Sequence, residues 1–413
     1  MANIRFISTT NVKPVSDHDF DDQNHDFSPR IELTPWDLRL LQFEYIQAGL
    51  LFHKPEYSSS FTTTFVDHLK STFSRALAIF YPLAGRLIAV ENNADNNDND
   101  NDNSAASFFI NCNGDGALFI HAAIDGVTVA DVLEPVIIPD DIVYSFFPMT
   151  GVLNCEAAFS ELPLLAAQVT ELVDGVFVAC TMSHCACDGA SFWHFFNIWS
   201  EIARRGGVSR CCRPVFSRDR YFEGVIDLPI RNIPISRNKI SDKRYVLPPN
   251  LQQRMFHFSK EKIAELKAKA NAEIGITNSN EIMISSLQAL MAHLWISVTR
   301  NRRLDLDETV SYMVIMGLRQ RFRPPLPEEY FGSSIRAVSA KCTAKELLEQ
   351  GLGWAARKIN RMIASQTAME VRKSLKDWAK SPVLPQMGKF PANTLMTGSS
   401  PRFTAMISVG EGR

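Results

Sequence analysis

The residues whose types and spacing best suit catalysis are His184 and Asp188, in the stretch HCACDG at 184–189. An imidazole titrates near neutral pH, so a well-placed histidine can take a proton from a hydroxyl or an amine as a general base. The aspartate can cap a following helix, and Asp188-Gly189 is typical of a turn. On these residues alone two plainer interpretations stay open, a satisfied core histidine and an ordinary capping aspartate.

The flanking segments indicate which elements position the histidine. Residues 175–182 are a continuous apolar run rich in β-branched side chains, as in a fully buried strand. Beyond the turn, aromatic side chains recur at steps of three and four and predict one face of a helix: Phe192, Phe195, Phe196 and Trp199. A strand therefore delivers His184 at its carboxyl end, where a rigid element can present an imidazole to a cleft.

Four potential metal ligands also crowd this stretch: Cys180, His184, Cys185 and Cys187. Zinc sites favour paired units, Cys-x-x-Cys or His-x-x-x-His, that are separated by a loop. No second pair of this kind accompanies these residues. We therefore expect no metal site.

The composition describes an ordinary globular protein. The chain has 413 residues, 46% hydrophobic and 21% charged, with a net charge of −2, which gives no indication of nucleic acid or an anionic membrane surface as a partner. Eight cysteines at no framework-like spacing are typical of reduced thiols. The N-terminus lacks a signal-like apolar region, and no apolar run reaches the roughly 18 residues of a membrane span. We expect a cytoplasmic monomer.

Periodic patterns predict the other elements of the first half. We expect strands at 3–14, 107–111, 117–122 and 127–132, a helix start at Thr34-Pro35 and a helix over 65–80. Residues 91–104, ENNADNNDNDNDNS, are acidic and of low complexity, which predicts a disordered loop.

The second half is predicted to form a separate domain. Residues 208–250 contain five prolines and no sustained period, which is typical of an interdomain crossover, so we expect domains at 1–207 and 251–413. The expected elements are strands at 254–258 and 309–315, and helices after Ser259 and over 280–298, 345–363 and 373–380.

Several stretches together resemble one family, the BAHD acyl-CoA-dependent acyltransferases of plant specialised metabolism. The matching stretches are LAAQVTEL at 165–172 with HxxxDG and the following SFW, FYPLAGRL at 80–87, FHFSKEKIAELKAKAN at 256–271, SSLQALMAHLW at 285–295, and an R-x-R-x-x-PPLP-x-x-YFG string at 319–332. Ser333 follows that string where the family has Asn. With these flanks, the catalytic interpretation of HxxxD outweighs the plain ones.

The resemblance implies an α/β fold of two similarly built domains, chloramphenicol-acetyltransferase-like, each a mixed β-sheet with helices. It implies that His184 is the general base for transfer of an acyl group from acyl-CoA to a hydroxyl or amine of a small acceptor, in a ternary complex. Asp188 then has a structural role and pairs with an arginine of the other domain, for which Arg319 is the candidate and Arg321 the reserve. A solvated basic loop is the alternative for these arginines.

Acyl-CoA is expected as co-substrate, with no bound cofactor. Its phosphates need cations and backbone amides, which the helix start at Ser259, Lys260 and Lys262 offers in a segment that resembles the family. An ordinary helix cap with solvated lysines is the alternative interpretation.

The resemblance stops at the C-terminal end. After a segment like SSPRF at 399–403 the family has an Asp-Phe-Gly-Trp-Gly string and a few tens of further residues, whereas this chain has TAMISVGEGR at 404–413. The expectation is a truncated second domain with lower solubility and activity. The alternative function is therefore a catalytically impaired relative that keeps the fold and possibly CoA binding.

Overall fold

The strand before His184 lies inside a five-stranded mixed sheet. The computed structural model describes residues 4–15, 28–54, 61–92, 105–207, 213–237, 251–275, 283–386 and 388–398. In spatial order the sheet consists of β1 (Ile4–Val12), β6 (Ala117–Ile124), β7 (Leu165–Glu171), β8 (Gly175–Met182) and β3 (Ile46–His53). Among the described strands of this sheet, only β6 and β7 pair in parallel. Almost every residue of β7 and β8 is buried, as the apolar run of β8 predicts.

Two long helices cover this sheet through aromatic contacts. They are α2 (Phe61–Ile79) and α6 (Gly189–Arg205). Phe73 of α2 packs edge-on against Trp199 of α6, with ring centroids 5.1 Å apart, and against Phe195 at 6.1 Å. Edge-to-face pairs of buried rings add to the free energy gained from burying their apolar area. The aromatic face that the sequence predicts for α6 is thus the face that fixes the helix.

The remaining elements of the first half are short. A three-stranded sheet has the order β2 (Arg30–Glu32), β5 (Ala105–Asn111), β4 (Arg86–Asn92). The short helices are α1 (Pro35–Leu38), α3 (Val129–Leu133), α4 (Asp140–Ser145) and α5 (Asn154–Ser160). The helix predicted to start at Thr34-Pro35 is therefore only four residues long.

The second half contains a smaller mixed sheet. Its order is β10 (Ile335–Thr343), β9 (Thr309–Gly317), β11 (Thr394–Thr397), with β10 antiparallel and β11 parallel to β9. The helices are α8 (Lys260–Glu273), α9 (Ser286–Arg302), α10 (Ala344–Glu349), α11 (Gly351–Ala364) and α12 (Ala368–Lys380). The α/β fold class, with a mixed sheet and helices in each half, is confirmed.

The two halves share an apolar cluster. Trp36 of α1, Phe222 of the short helix α7 (Asp219–Phe222) and Phe322 after β9 meet edge-on or tilted, with ring centroids 5.3–5.7 Å apart. Tyr330 and Leu375 of α12 belong to the same cluster. Phe222, in the described part of the predicted crossover (213–237), therefore packs between the halves. The domain boundaries 1–207, 208–250 and 251–413 stay a prediction.

Three predicted elements are wrong. Residues 127–132 do not form a strand, because Thr128 and Asp131 form a capping box that starts α3. Residues 254–258 form only an isolated bridge, between Ile137 and Arg254. The predicted helix over 345–363 is divided into α10 and α11 where Gly351 adopts a positive φ of 84°.

Some predictions lie outside the described residues. These are most of the low-complexity loop, both ends of the crossover, the start of the helix predicted over 280–298, and the chain from 399 onward. Among the described residues, no helix combines the length and the apolar character that crossing a membrane requires.

Candidate active site

His184 lies just beyond the end of β8. Hydrogen bonds fix both the preceding residue, Ser183, and the imidazole ring itself. The backbone N–H of Ser183 donates to the carbonyl of Leu164, and its hydroxyl donates to Oδ1 of Asn154 at 2.7 Å. The His184 ring is half-buried, and its Nδ1 lies 2.8 Å from the carbonyl oxygen of Cys187. Because a carbonyl only accepts, Nδ1 carries the proton and Nε2 keeps its lone pair. This is the tautomer that a general base needs.

The protonation state of His184 also suits a base. Burial lowers the pKa of His184, although the Cys187 carbonyl and the carboxylates of Asp188 and Asp37 act in the opposite direction. A lowered pKa keeps the imidazole neutral around pH 7. The ring can therefore accept a proton.

Asp188 turns away from the imidazole and into a buried set of donors. Its Oδ1 accepts from the N–H of Ser191, which caps α6, at 3.0 Å. Arg319 donates two hydrogen bonds to the two carboxylate oxygens, at 2.6 and 2.9 Å. Ser334 donates to Oδ2 from its N–H and its hydroxyl, at 3.1 and 3.2 Å. Burial acts to raise the pKa of Asp188, but Arg319 and these donors outweigh it and hold the pKa below its usual value.

Arg319 connects the start of α6 with the segment that follows β9. It lies on a single 3₁₀ turn, Arg319–Arg321, and also donates to the hydroxyls of Ser334 and Ser191 and to the carbonyl of Tyr330. Two parallel bonds between a guanidinium and a carboxylate form a strong, geometrically specific contact. Arg321, the reserve candidate, points elsewhere, since its Nη1 donates to the carbonyl of Gln366 at 2.9 Å.

A second buried ion pair lies beside the first, and the sequence interpretation missed it. Nη1 of Arg218 lies 3.2 Å from Oδ2 of Asp37, and both side chains are almost inaccessible to solvent. Asp37 also accepts from the N–H and the hydroxyl of Thr34, each at 2.8 Å. The pattern Thr34-x-x-Asp37 is a capping-box signal from which Asp37, though not Arg218, could have been found.

The residues predicted to bind CoA lie at the start of α8. The hydroxyl of Ser259 accepts from the N–H of Lys262 as a helix cap, at 3.2 Å. Lys260 and Lys262 are exposed, and Nζ of Lys262 lies 2.9 Å from a carboxylate oxygen of Glu265. Within the described ranges, no hydrogen bond or ion pair joins this helix start directly to the Asp188 network.

A cavity of about 670 Å³ opens beside the second ion pair, between β2, the end of α2 and the crossover. Arg30, Tyr81, Phe216, Arg218 and Tyr221 are among its lining residues, whereas His184 is not. Among the described residues, no three His, Cys, Asp or Glu side chains are grouped to hold a metal ion. The cysteines around His184 are buried free thiols.

Comparisons with known proteins agree with this architecture. The family model described as "Transferase family" matches residues 2–409. An uncharacterised acetyltransferase of Arabidopsis thaliana is 40% identical over 406 residues, which cover 98% of this chain and 86% of the relative. The BAHD acyltransferase DCR of the same plant is 32% identical over 419 aligned residues, covering 97% and 80% of the two chains.

Solved structures show the same fold at lower identity. Vinorine synthase superimposes with a TM-score of 0.64 at 20% identity, over 95% of this chain and 83% of that one. The Fusarium sporotrichioides protein TRI101, in a complex with coenzyme A and T-2, gives 0.61 at 16% identity, over 90% and 83%. From the extent of the family match and the identity of these relatives, this chain belongs to the Transferase family of BAHD acyltransferases.

Proposed function

We propose that this protein transfers an acyl group from an acyl-CoA thioester to a hydroxyl or an amine of a small-molecule acceptor, with His184 as the general base. The observation that carries the proposal is the half-buried imidazole, whose Nδ1 is committed to the Cys187 carbonyl while its Nε2 is available. The family contributes the reaction class. The TRI101 complex with coenzyme A supports the donor class.

The proton moves in a closed cycle. Nε2 of His184 takes the proton of the acceptor O–H or N–H while the acceptor atom attacks the thioester carbonyl carbon. The tetrahedral intermediate expels the thiolate of CoA, and the imidazolium returns the proton to that sulfur. Both substrates are bound together, so no covalent acyl-enzyme is needed. Asp188 and Arg319 do not exchange protons in this cycle and only fix the start of α6.

The direct test is an assay of the purified chain. A panel of acyl-CoA donors, aliphatic and aromatic, is incubated with pools of hydroxyl and amine acceptors, and free CoA thiol is followed together with product mass. The proposal requires thiol release that depends on the acceptor and that His184→Ala removes. Release that is independent of acceptors indicates thioester hydrolysis instead. A well-folded chain that turns over none of the donors supports the alternative, an impaired relative.

The pH dependence follows from the lowered pKa of His184. The base works only when neutral, so kcat/KM should rise with pH through the pKa of His184 and then remain level. Because burial lowers that pKa, the acid limb should lie below the ordinary histidine value of about 6.5. A pH series in a constant-ionic-strength buffer measures it. An acid limb at or above the ordinary value contradicts a desolvated base.

The CoA phosphate site is proposed at the start of α8, where the exposed Lys260 and Lys262 lie in the first turn of the helix. Lys260→Ala with Lys262→Ala should raise the acyl-CoA KM several-fold at low salt and leave kcat within about twofold, because remote phosphate contacts stabilise ground and transition states equally. Lys267→Ala with Lys269→Ala, later on the same helix, is the matched control. An unchanged KM at low ionic strength places the phosphate site elsewhere.

A further inference from the structure

A second network of buried polar groups ends on the backbone of His184 itself. We propose that Asp37 and Ser333 are positioning residues for His184: Asp37, anchored by Arg218, fixes the backbone of Ser333, whose hydroxyl holds the main-chain carbonyl of His184. The inference rests on the proposed function, in which His184 is the base.

Ser333 connects the two residues directly. Its N–H donates to Oδ1 of Asp37 at 2.9 Å, and its hydroxyl donates to the carbonyl oxygen of His184, also at 2.9 Å. The residue is fully buried, so no water competes for either bond. A carbonyl only accepts, and the hydroxyl hydrogen is therefore committed to His184. This contact comes from a residue 149 positions further along the chain, in the other half of the protein.

Asp37 is itself held rigidly. One carboxylate oxygen receives both donors of Thr34 and the guanidinium of Arg218, which leaves Oδ1 directed at Ser333. Arg218 is fixed in turn by the hydroxyl of Tyr330, to which it donates at 2.8 Å. A Cβ on Gly332 would lie 2.2 Å from Nη1 of Arg218, so a side chain at this position would displace the guanidinium.

The position of the His184 carbonyl matters for the position of the ring. That carbonyl opens the turn from His184 to Asp188, and the bond from Nδ1 to the Cys187 carbonyl closes the same turn. Asp188 and Arg319 hold the end of the turn, at the start of α6, whereas Ser333 holds its beginning, after β8. A misplacement of about 1 Å of a catalytic group can cost about a hundredfold in rate. Holding both ends therefore fixes where Nε2 points.

The first experiment removes only the hydroxyl. Ser333→Ala keeps the backbone bond to Asp37, and we expect kcat to fall about ten- to a hundredfold while the KM for each substrate changes less than about twofold. The matched control is Ser236→Ala, since Ser236 is also buried but its hydroxyl has no hydrogen-bond partner among the described residues. The control should keep kcat within about twofold.

A readout that needs no turnover separates positioning from stability. Burial lowers the pKa of His184, so a turn released by Ser333→Ala should let the ring move toward water and its pKa rise; Asp188 and Asp37, the charged groups that act on the ring, are unchanged in this variant. NMR titration measures this, with the His184 signal assigned by its loss in His184→Ala. A loss of folded protein alone would weaken the signal without moving the pKa.

The outcomes are distinct. A raised His184 pKa together with a lower kcat supports the inference. An unchanged His184 pKa overturns it, whatever happens to kcat. A wild-type chain that turns over no acyl-CoA defeats the proposed function, yet the NMR comparison still decides whether Ser333 positions the ring.

The role of Asp37 is tested by a double-mutant cycle with Ser333→Ala. If both act through one path, Asp37→Asn combined with Ser333→Ala should lower kcat little further than the more harmful single change. If the reductions in kcat of the two single variants multiply in the double variant, Asp37 does not act through Ser333. If Asp37→Asn is unfolded at the assay temperature, Thr34→Ala is used instead. That change removes one hydrogen bond to the Asp37 carboxylate but leaves Arg218 paired with it.

Discussion

His184→Ala is expected to lower kcat for acyl transfer by about 10²- to 10⁴-fold, the range that a general base contributes, with little change in Tm. The activity should fall because the variant has no imidazole at position 184 to accept the proton of the acceptor. The Tm should change little because the ring is half-buried and its hydrogen bond to the Cys187 carbonyl stays within its own turn. Thiol release measures the first quantity and calorimetry the second.

A suitable control is His68→Ala. The ring of His68 also contacts a backbone carbonyl, that of Ala203 at 2.7 Å, but it is exposed on α2 and far from the turn at 184–188 in sequence. This variant should keep full kcat, which shows that removing an imidazole is not harmful in itself. If His184→Ala retains a tenth of the wild-type turnover, His184 is not the base.

The strand–turn–helix around His184 could be predicted because its signals are local. The apolar run of β8 covers the whole strand, and the aromatic period of α6 extends over more than one helical turn. Asp188 has a side chain that is preferred at helix N-caps. The fold class needed the resemblance, because periodicity does not specify which strands become neighbours. The parallel pairing of β6 with β7, for example, cannot be recognised from the sequence of either strand.

The partners of the site were harder to predict for the same reason. Arg319 could be singled out only from the string that resembles the family, and nothing in its neighbours distinguishes it from Arg321, which donates to Gln366 instead. Asp37, Arg218 and Ser333 are separated by more than a hundred residues from one another, so only tertiary structure joins them. Strand β10 was missed although Val338, Ala340 and Cys342 alternate with more exposed neighbours.

Asp188→Asn is expected to reduce stability and activity together, in contrast to His184→Ala. The change is almost isosteric, but it removes the charge opposite Arg319 and places an amide N–H₂ among donors from Arg319, Ser191 and Ser334. Breaking one side of a buried pair costs roughly 3–5 kcal/mol, because the remaining charge is left without compensation. We expect a fall in Tm of several degrees, and a lower kcat because the start of α6 and the turn that carries His184 are no longer fixed.

The matched control exchanges a carboxylate for an amide in an ion pair whose carboxylate is exposed. Glu370 lies 3.8 Å from Arg336, and its side chain is 43% exposed, so Glu370→Gln should leave Tm within about a degree. Calorimetry on both variants distinguishes the Tm change caused by losing a buried charge from that caused by losing an exposed charge. An Asp188→Asn variant with unchanged Tm and full activity contradicts the structural role of the pair.

The pH dependence of stability gives the same prediction an independent check. Asp188 has a folded pKa below its usual value, so the pair contributes fully above the unfolded pKa of about 3.9 and is lost as the pH falls through the folded pKa. The difference in Tm between wild type and Asp188→Asn should therefore be constant from neutral pH down to about pH 5 and shrink only in stronger acid. Adding Arg319→Met to Asp188→Asn removes the stranded cation, so the double variant should be more stable than Asp188→Asn alone. A double variant that loses the sum of both single effects would show that the two side chains stabilise the fold separately rather than as a pair.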